Sequence, residues 1–157
     1  MRALIIMLVA MLAGVGVSAH SMTSVQAAEL NPVAIDITTP DEFVWRDPPG
    51  TTPTNRTVLY GDPDGNGYYM YINKFQPGHF SRPHFHANDR FITVLKGTWW
   101  VGTGTHFDID NTVPLPEGSF VTHYGMEVHY DGAKDEEVMV LITGVGPAAG
   151  TPAEEPN

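Results

Sequence analysis

Gly78-His79-Phe80-Ser81-Arg82-Pro83-His84-Phe85-His86-Ala87-Asn88-Asp89-Arg90 is the stretch whose reading decides the fold. His84 and His86 are one residue apart, just ahead of a run with strand character. Side chains at i and i+2 on an extended chain share a face, because strand side chains alternate with period two. Two imidazoles on one face make half a metal site. A third histidine, His129, lies 43 residues beyond His86 in another strand-like run.

The surroundings read as all β. Short apolar or alternating runs fall at residues 58–60, 67–75, 91–95, 98–101, 119–124, 128–130 and 137–145. Turn residues separate them at 62–67, Gln76-Pro77-Gly78, Lys96-Gly97, 114–118 and Asp131-Gly132. Many short strands with regular turns predict a sandwich or barrel. Further strands are expected at 33–38 and 43–46, before the breaker Asp47-Pro48-Pro49-Gly50. The tail from Pro147 is rich in Pro, Ala and Glu and reads as disordered.

The first motif resembles that of the cupin family: Gly, five residues, His-x-His, three or four residues, Glu, six residues, Gly. Gly78, His84, His86 and Gly97 fit every spacing, but Arg90 stands where the glutamate is expected. The second cupin motif is Gly, five residues, Pro-x-Gly, two residues, His. Gly118 and His129 match it; Tyr124 and Met126 replace the Pro and the second Gly. The resemblance covers roughly residues 58–146 and implies an all-β, cupin-type jelly-roll barrel. It places metal ligands at His84, His86 and His129. A guanidinium has donors only, so Arg90 cannot coordinate a cation. Three readings stay open: a three-histidine site with open positions, His123 as a fourth ligand, or a site that has lost its metal and uses Arg90 to bind an anion.

The chain has 157 residues, enough for one domain. Residues 1–27 read as a signal peptide: Arg2, then an apolar stretch over 3–17 and small-residue cleavage patterns. Cleavage is expected after Ala27, with Ala19 as the alternative, which would leave His20 at the new N-terminus. Residues 28–57 read as N-terminal strands and linker, 58–146 as the barrel and 147–157 as the tail. No twin arginine precedes the apolar stretch, so export in the unfolded state to the periplasm or beyond is expected. There is no cysteine, which excludes disulfides, thiolate metal sites and cysteine nucleophiles. A formal charge of −10 argues against a basic surface for nucleic acid or anionic membrane.

Neutral imidazoles without a carboxylate suit copper first and zinc second, with nickel or iron also compatible. Copper implies redox chemistry on a small organic or carbohydrate-type substrate. Arg90 would orient an anionic group, and His123 or Tyr124 would transfer protons. Two other functions are consistent with the same residues: a non-catalytic binding or sensing protein for a small anion or sugar, and a zinc-dependent enzyme of isomerase or lyase type. Phe91-Ile92-Thr93-Val94-Leu95 is apolar on both parities, which predicts cover on both faces and hence a homodimer. Trp99-Trp100 and Tyr68, Tyr69 and Tyr71 read as core or interface residues rather than a stacking platform. Asp62-Pro63-Asp64-Gly65-Asn66-Gly67 opens like a calcium loop but has Asn73 at the twelfth position and reads as a hairpin turn. His79 and His106 have no partner pattern and read as surface residues.

Overall fold

A computed structural model describes residues 29–47 and 54–156. The expected leader, with both cleavage points and His20, lies outside the described residues. The chain divides into a unit ending at Asp36 and a second beginning at Ile37. In the first, Asn31 closes a turn: its side chain accepts from Val33 N and its carbonyl accepts from Ala34 N. This local bonding competes with strand pairing, so the strand expected over 33–38 does not form.

Among its described residues the second unit has ten strands: β1 (Thr54–Tyr60), β2 (Tyr68–Phe75), β3 (His84–His86), β4 (Arg90–Lys96), β5 (Trp99–Thr103), β6 (Val113–Leu115), β7 (Phe120–His123), β8 (His129–Gly132), β9 (Val138–Val145) and β10 (Gly150–Pro152). They form two five-stranded antiparallel sheets, in the orders β1-β2-β9-β4-β7 and β10-β3-β8-β5-β6. One apolar core joins them. Tyr69, Tyr71, Ile92, Val94, Val138, Val140 and Ile142 come from the first sheet and Trp99 from the second. Each such side chain contributes about 1.5–3 kcal/mol by leaving water. β9 shows the period: Val138, Val140 and Ile142 are buried, and the residues between them are half-buried. Gly97 turns β4 into β5 with φ +75, and a Cβ there would stand 2.7 Å from Glu137 O.

Four further expectations are corrected. Residues 43–46 supply one isolated bridge, Arg46 to Arg56, after a 3-10 turn at Pro40–Glu42. The expected turn at 114–118 begins inside β6, where Pro114 faces Trp100 on an edge strand; an edge needs no amide on its open side. Asp131-Gly132 lies in β8 and not in a turn. The tail is not disordered: Ala148 is buried, β10 pairs with β3, and Ala153 N donates to Pro83 O. Arg82 and Glu154 form an ion pair, and Thr105 Oγ1 donates to Glu155. A polar composition describes a segment's solvation alone; here the unpaired edge of β3 supplies the missing partner.

Candidate metal centre

Strand register assembles the imidazoles. His84 and His86 lie on one face of β3, and β8 places His129 directly opposite His84. The His84 ring centroid is 4.8 Å from that of His86 and 4.6 Å from that of His129. One ring nitrogen of each lies within 4.8 Å of the others. The Nδ1 of each ring faces a backbone carbonyl: Arg82 O at 2.7 Å for His84, Ala149 O at 3.1 Å for His86 and Glu127 O at 3.1 Å for His129. A carbonyl only accepts, so each Nδ1–H donates and each lone pair sits on Nε2. This is how metal-binding imidazoles are oriented. His86 Nε2 is buried and has no partner.

Burial, with the Arg90 charge next in importance, holds the His86 pKa down at about 2. His129 is held at about 3 by burial and then by His84 and Arg90. His123 is lowered still further, chiefly by burial. These rings are therefore neutral throughout the ordinary pH range, the state in which imidazole ligates. Three locked tautomers and an unpartnered Nε2 fit a transition-metal ion.

Arg90 faces the same interior. Directly across from it are His123 on β7 and Gly144 on β9. Arg90 as a whole residue is only 6% exposed. Nη2 stands 3.3 Å from His123 Nδ1 and 3.3 Å from His129 Nε2, and Nη1 donates to the Tyr71 hydroxyl at 3.4 Å. Nε is buried without a partner. Among the described residues Arg90 has no carboxylate within ion-pair distance. His123 is buried, lies against His129 with centroids 3.7 Å apart and the rings tilted by 40°, and leaves its Nε2 unpartnered.

A scan against protein-family models finds no match, and a search of curated proteins finds none. Solved structures do match. One is the polyketide cyclase RemF of Streptomyces resistomycificus, at 19% identity and TM-score 0.60, over 75% of this chain and 82% of that one. An uncharacterised double-stranded β-helix protein of Klebsiella pneumoniae matches at 22% identity and TM-score 0.56, over 76% and 97%. A cupin-like protein of Thermotoga maritima matches at 23% and TM-score 0.51, over 60% and 70%.

The fold is that of the cupins. Within this cupin barrel, the three histidines expected from sequence come together, and Arg90 and His123 join them. Tyr124 does not: it follows β7 with its side chain 64% exposed, so the proton-transfer role expected of it has no geometric basis. Trp99 is in the core, and Trp100 is half-buried with Lys134 Nζ 3.8 Å over its ring. Tyr69 and Tyr71 stack inside the core, and burial raises the Tyr69 pKa to about 12. His106 is exposed, but His79 is half-buried and its Nδ1 is enclosed without a partner. The loop opening at Asp62 is a turn, with Asp62 Oδ1 accepting from Asp64 N.

Three contributors were missed from sequence. Asp131 is buried in β8, and one of its carboxylate oxygens lies within 4.8 Å of ring nitrogens of His123 and His129. Burial pushes its pKa up. Period two was the available signal, since residues 129 and 131 of one strand share a face. Tyr71 and Ala149 come from strands and segments distant in sequence, and no local pattern marks them.

Proposed function

We propose that this chain is an exported, metal-dependent cupin enzyme, with one ion on His84, His86 and His129 and a small organic or carbohydrate-type substrate. The observation that carries the reading is the set of three Nδ1–H groups pinned by carbonyls on three imidazoles that each bring a ring nitrogen within 4.8 Å of the other two. The likeness to a barrel that houses a polyketide cyclase supports catalysis in general. An all-imidazole donor set favours copper, then zinc. Bound copper would supply redox chemistry and a Lewis-acid contact to a substrate oxygen. Arg90 would hold an anionic group beside His129, and neutral His123 would accept or release a proton. Tyr71, through its hydroxyl, steadies the guanidinium.

A second reading is favoured by one observation: among the described residues the buried Arg90 has no carboxylate paired to it. An uncompensated buried charge is costly, and a small bound anion would offset it. The chain would then be a binding or sensing protein.

Elemental analysis of the purified mature protein, beside His84→Ala and His129→Ala, separates these. One copper per chain, lost in both variants and accompanied by oxidant consumption, supports the redox enzyme. One zinc with the same losses moves the reaction to a non-redox isomerase or lyase. No metal in any form, with stabilisation by small anions, replaces the enzyme with the binding protein.

We also infer a homodimer. Tyr68, Phe91, Phe120 and Val145 are exposed on one sheet, and Phe91 stacks on Phe120 at 6.4 Å. Phe120→Glu is expected to convert the dimer to a monomer in light-scattering chromatography; a wild-type monomer would reject the inference.

A further inference from the structure

The barrel has exchanged charges relative to the motif it resembles. The inward position on β4 carries Arg90 where the motif has a carboxylate, and a buried carboxylate appears instead on β8, as Asp131. We propose that His123, His129 and Asp131 form a second, deeper position for a divalent first-row transition-metal ion, alternative to the one on His84, His86 and His129. This rests on the reading that the barrel interior takes a metal.

Four observations carry it. One donor atom from each of the three residues lies within 4.8 Å of the other two, the same closeness that defines the outer triad. All three side chains are buried, at 6%, 4% and 4% exposure, so few waters compete with an ion there. His123 Nε2 is buried and unpartnered. The Asp131 carboxylate has no ion pair among the described residues, only the Trp99 and Ser81 side chains as donors and the Arg90 charge further off, and a buried carboxylate is stable as an anion only when a cation or several donors face it.

The two positions exclude each other. His129 Nδ1–H is committed to Glu127 O, so only Nε2 is free to ligate in either. Loading either one requires Arg90 Nη2 to give up His129 Nε2. Loading the inner one through His123 Nε2 leaves His123 Nδ1 free to keep its contact with Arg90 Nη2. The inner position supplies an anionic ligand and the outer one supplies none. Two imidazoles and one carboxylate make a harder donor set than three imidazoles. It accepts iron(II), manganese(II) or zinc more readily than the all-nitrogen triad does.

Cobalt(II) titration of the metal-free full chain tests the proposal, using wild type, His84→Ala, Asp131→Asn and the His84→Ala/Asp131→Asn double variant. His84 is the half-buried ligand, so its loss perturbs the core least. The proposal expects His84→Ala to keep one cobalt per chain and the added Asp131→Asn to weaken that binding at least tenfold. Equal affinity in His84→Ala and the double variant overturns it, as does complete loss of cobalt in His84→Ala; the outer site survives both results. Wild type without cobalt overturns the outer site and the inner one together. If Asp131→Asn fails to fold by circular dichroism, His84→Ala carrying 13C-carboxylate aspartate and copper(II) replaces it. Electron–nuclear double resonance then shows a carboxylate 13C coupling if Asp131 ligates, and none if the proposal is wrong.

Discussion

Met126 is the one non-glycine residue with positive φ among the described residues, at 68°. It occupies the place where the second cupin motif has its glycine, and the conformation explains why glycine belongs there. The turn is held regardless: Met126 N donates to His86 O, and Gly125 N donates to Asp89 Oδ1. A side chain in the left-handed region costs about 1–2 kcal/mol, partly offset by glycine's greater entropy loss. Met126→Gly is therefore expected to stabilise the chain by about 0.5–1 kcal/mol in urea unfolding, with metal binding unchanged; destabilisation would show that the methionine side chain contributes contacts of its own. Arg90 gives the second residue-scale prediction. Its positive charge sits beside His129 Nε2 and opposes a cation. Arg90→Glu removes that charge and restores the motif's carboxylate. Metal affinity, measured by competition with a chromophoric chelator, is expected to rise at least tenfold. Unchanged affinity would mean that the outer triad binds nothing beside residue 90.

β10 is the element that ties the centre to the C-terminus. Ala149 O fixes the tautomer of His86, and Gly150 lies opposite His86 in the β3 ladder. A Cβ on Gly150 would stand 3.0 Å from His84 Cδ2 and 3.4 Å from His86 Cε1, closer than rings already packed against each other can readily accept. Gly150→Val and a chain ending at Gly146 are both expected to weaken metal binding by about 10–100-fold, the usual range when an orienting partner of a ligand is lost. Nitrogen NMR would show His86 losing its single Nδ1–H tautomer in the truncated chain; an unchanged tautomer would remove β10 from the centre. Periodicity made β2, β4, β5, β7 and β9 legible, because each alternates or runs apolar over four residues or more; β1 and β8 were legible only over 58–60 and 128–130. It missed β6 and β10, which are three residues long, contain proline and exist through their partners. Likewise the ligand pair on β3 was legible from spacing alone. The approach of Arg90 to His123 follows from a cross-strand pairing that no local pattern encodes.

At the scale of the whole molecule, the interior is a cluster of neutral imidazoles, and this makes stability depend on acid. His86, His123 and His129 have folded pKa values far below the ordinary 6.5. Above pH 6.5 both the folded and unfolded chains leave these rings uncharged, and they contribute no pH dependence. Below it the unfolded chain binds protons that the folded chain refuses, so stability falls as pH falls, until the folded values are reached. Each ring contributes a slope of about 1.4 kcal/mol per pH unit. Asp131 acts in the opposite sense: burial raises its folded pKa, so its carboxyl takes a proton in the folded chain first and gives stability that is lost as pH rises. It trims the slope by up to one proton. The metal-free chain is therefore expected to lose about 2.7–4 kcal/mol per pH unit below about pH 5.5. A chain at the low end of ordinary stability, about 5 kcal/mol, is expected to unfold near pH 5 when metal-free, and a more stable one at lower pH. Urea unfolding at half-unit steps from pH 7.5 to 4.5 reads the slope directly. His123→Phe keeps the ring against Trp99 and His129 but removes one titrating group, and should lower the slope by about 1.4 kcal/mol per unit. Saturating metal stabilises the folded chain alone and should move the acid midpoint downward. A metal-free chain equally stable at pH 7 and pH 5 would mean that the histidine cluster opens to water, and with it the dry centre described above.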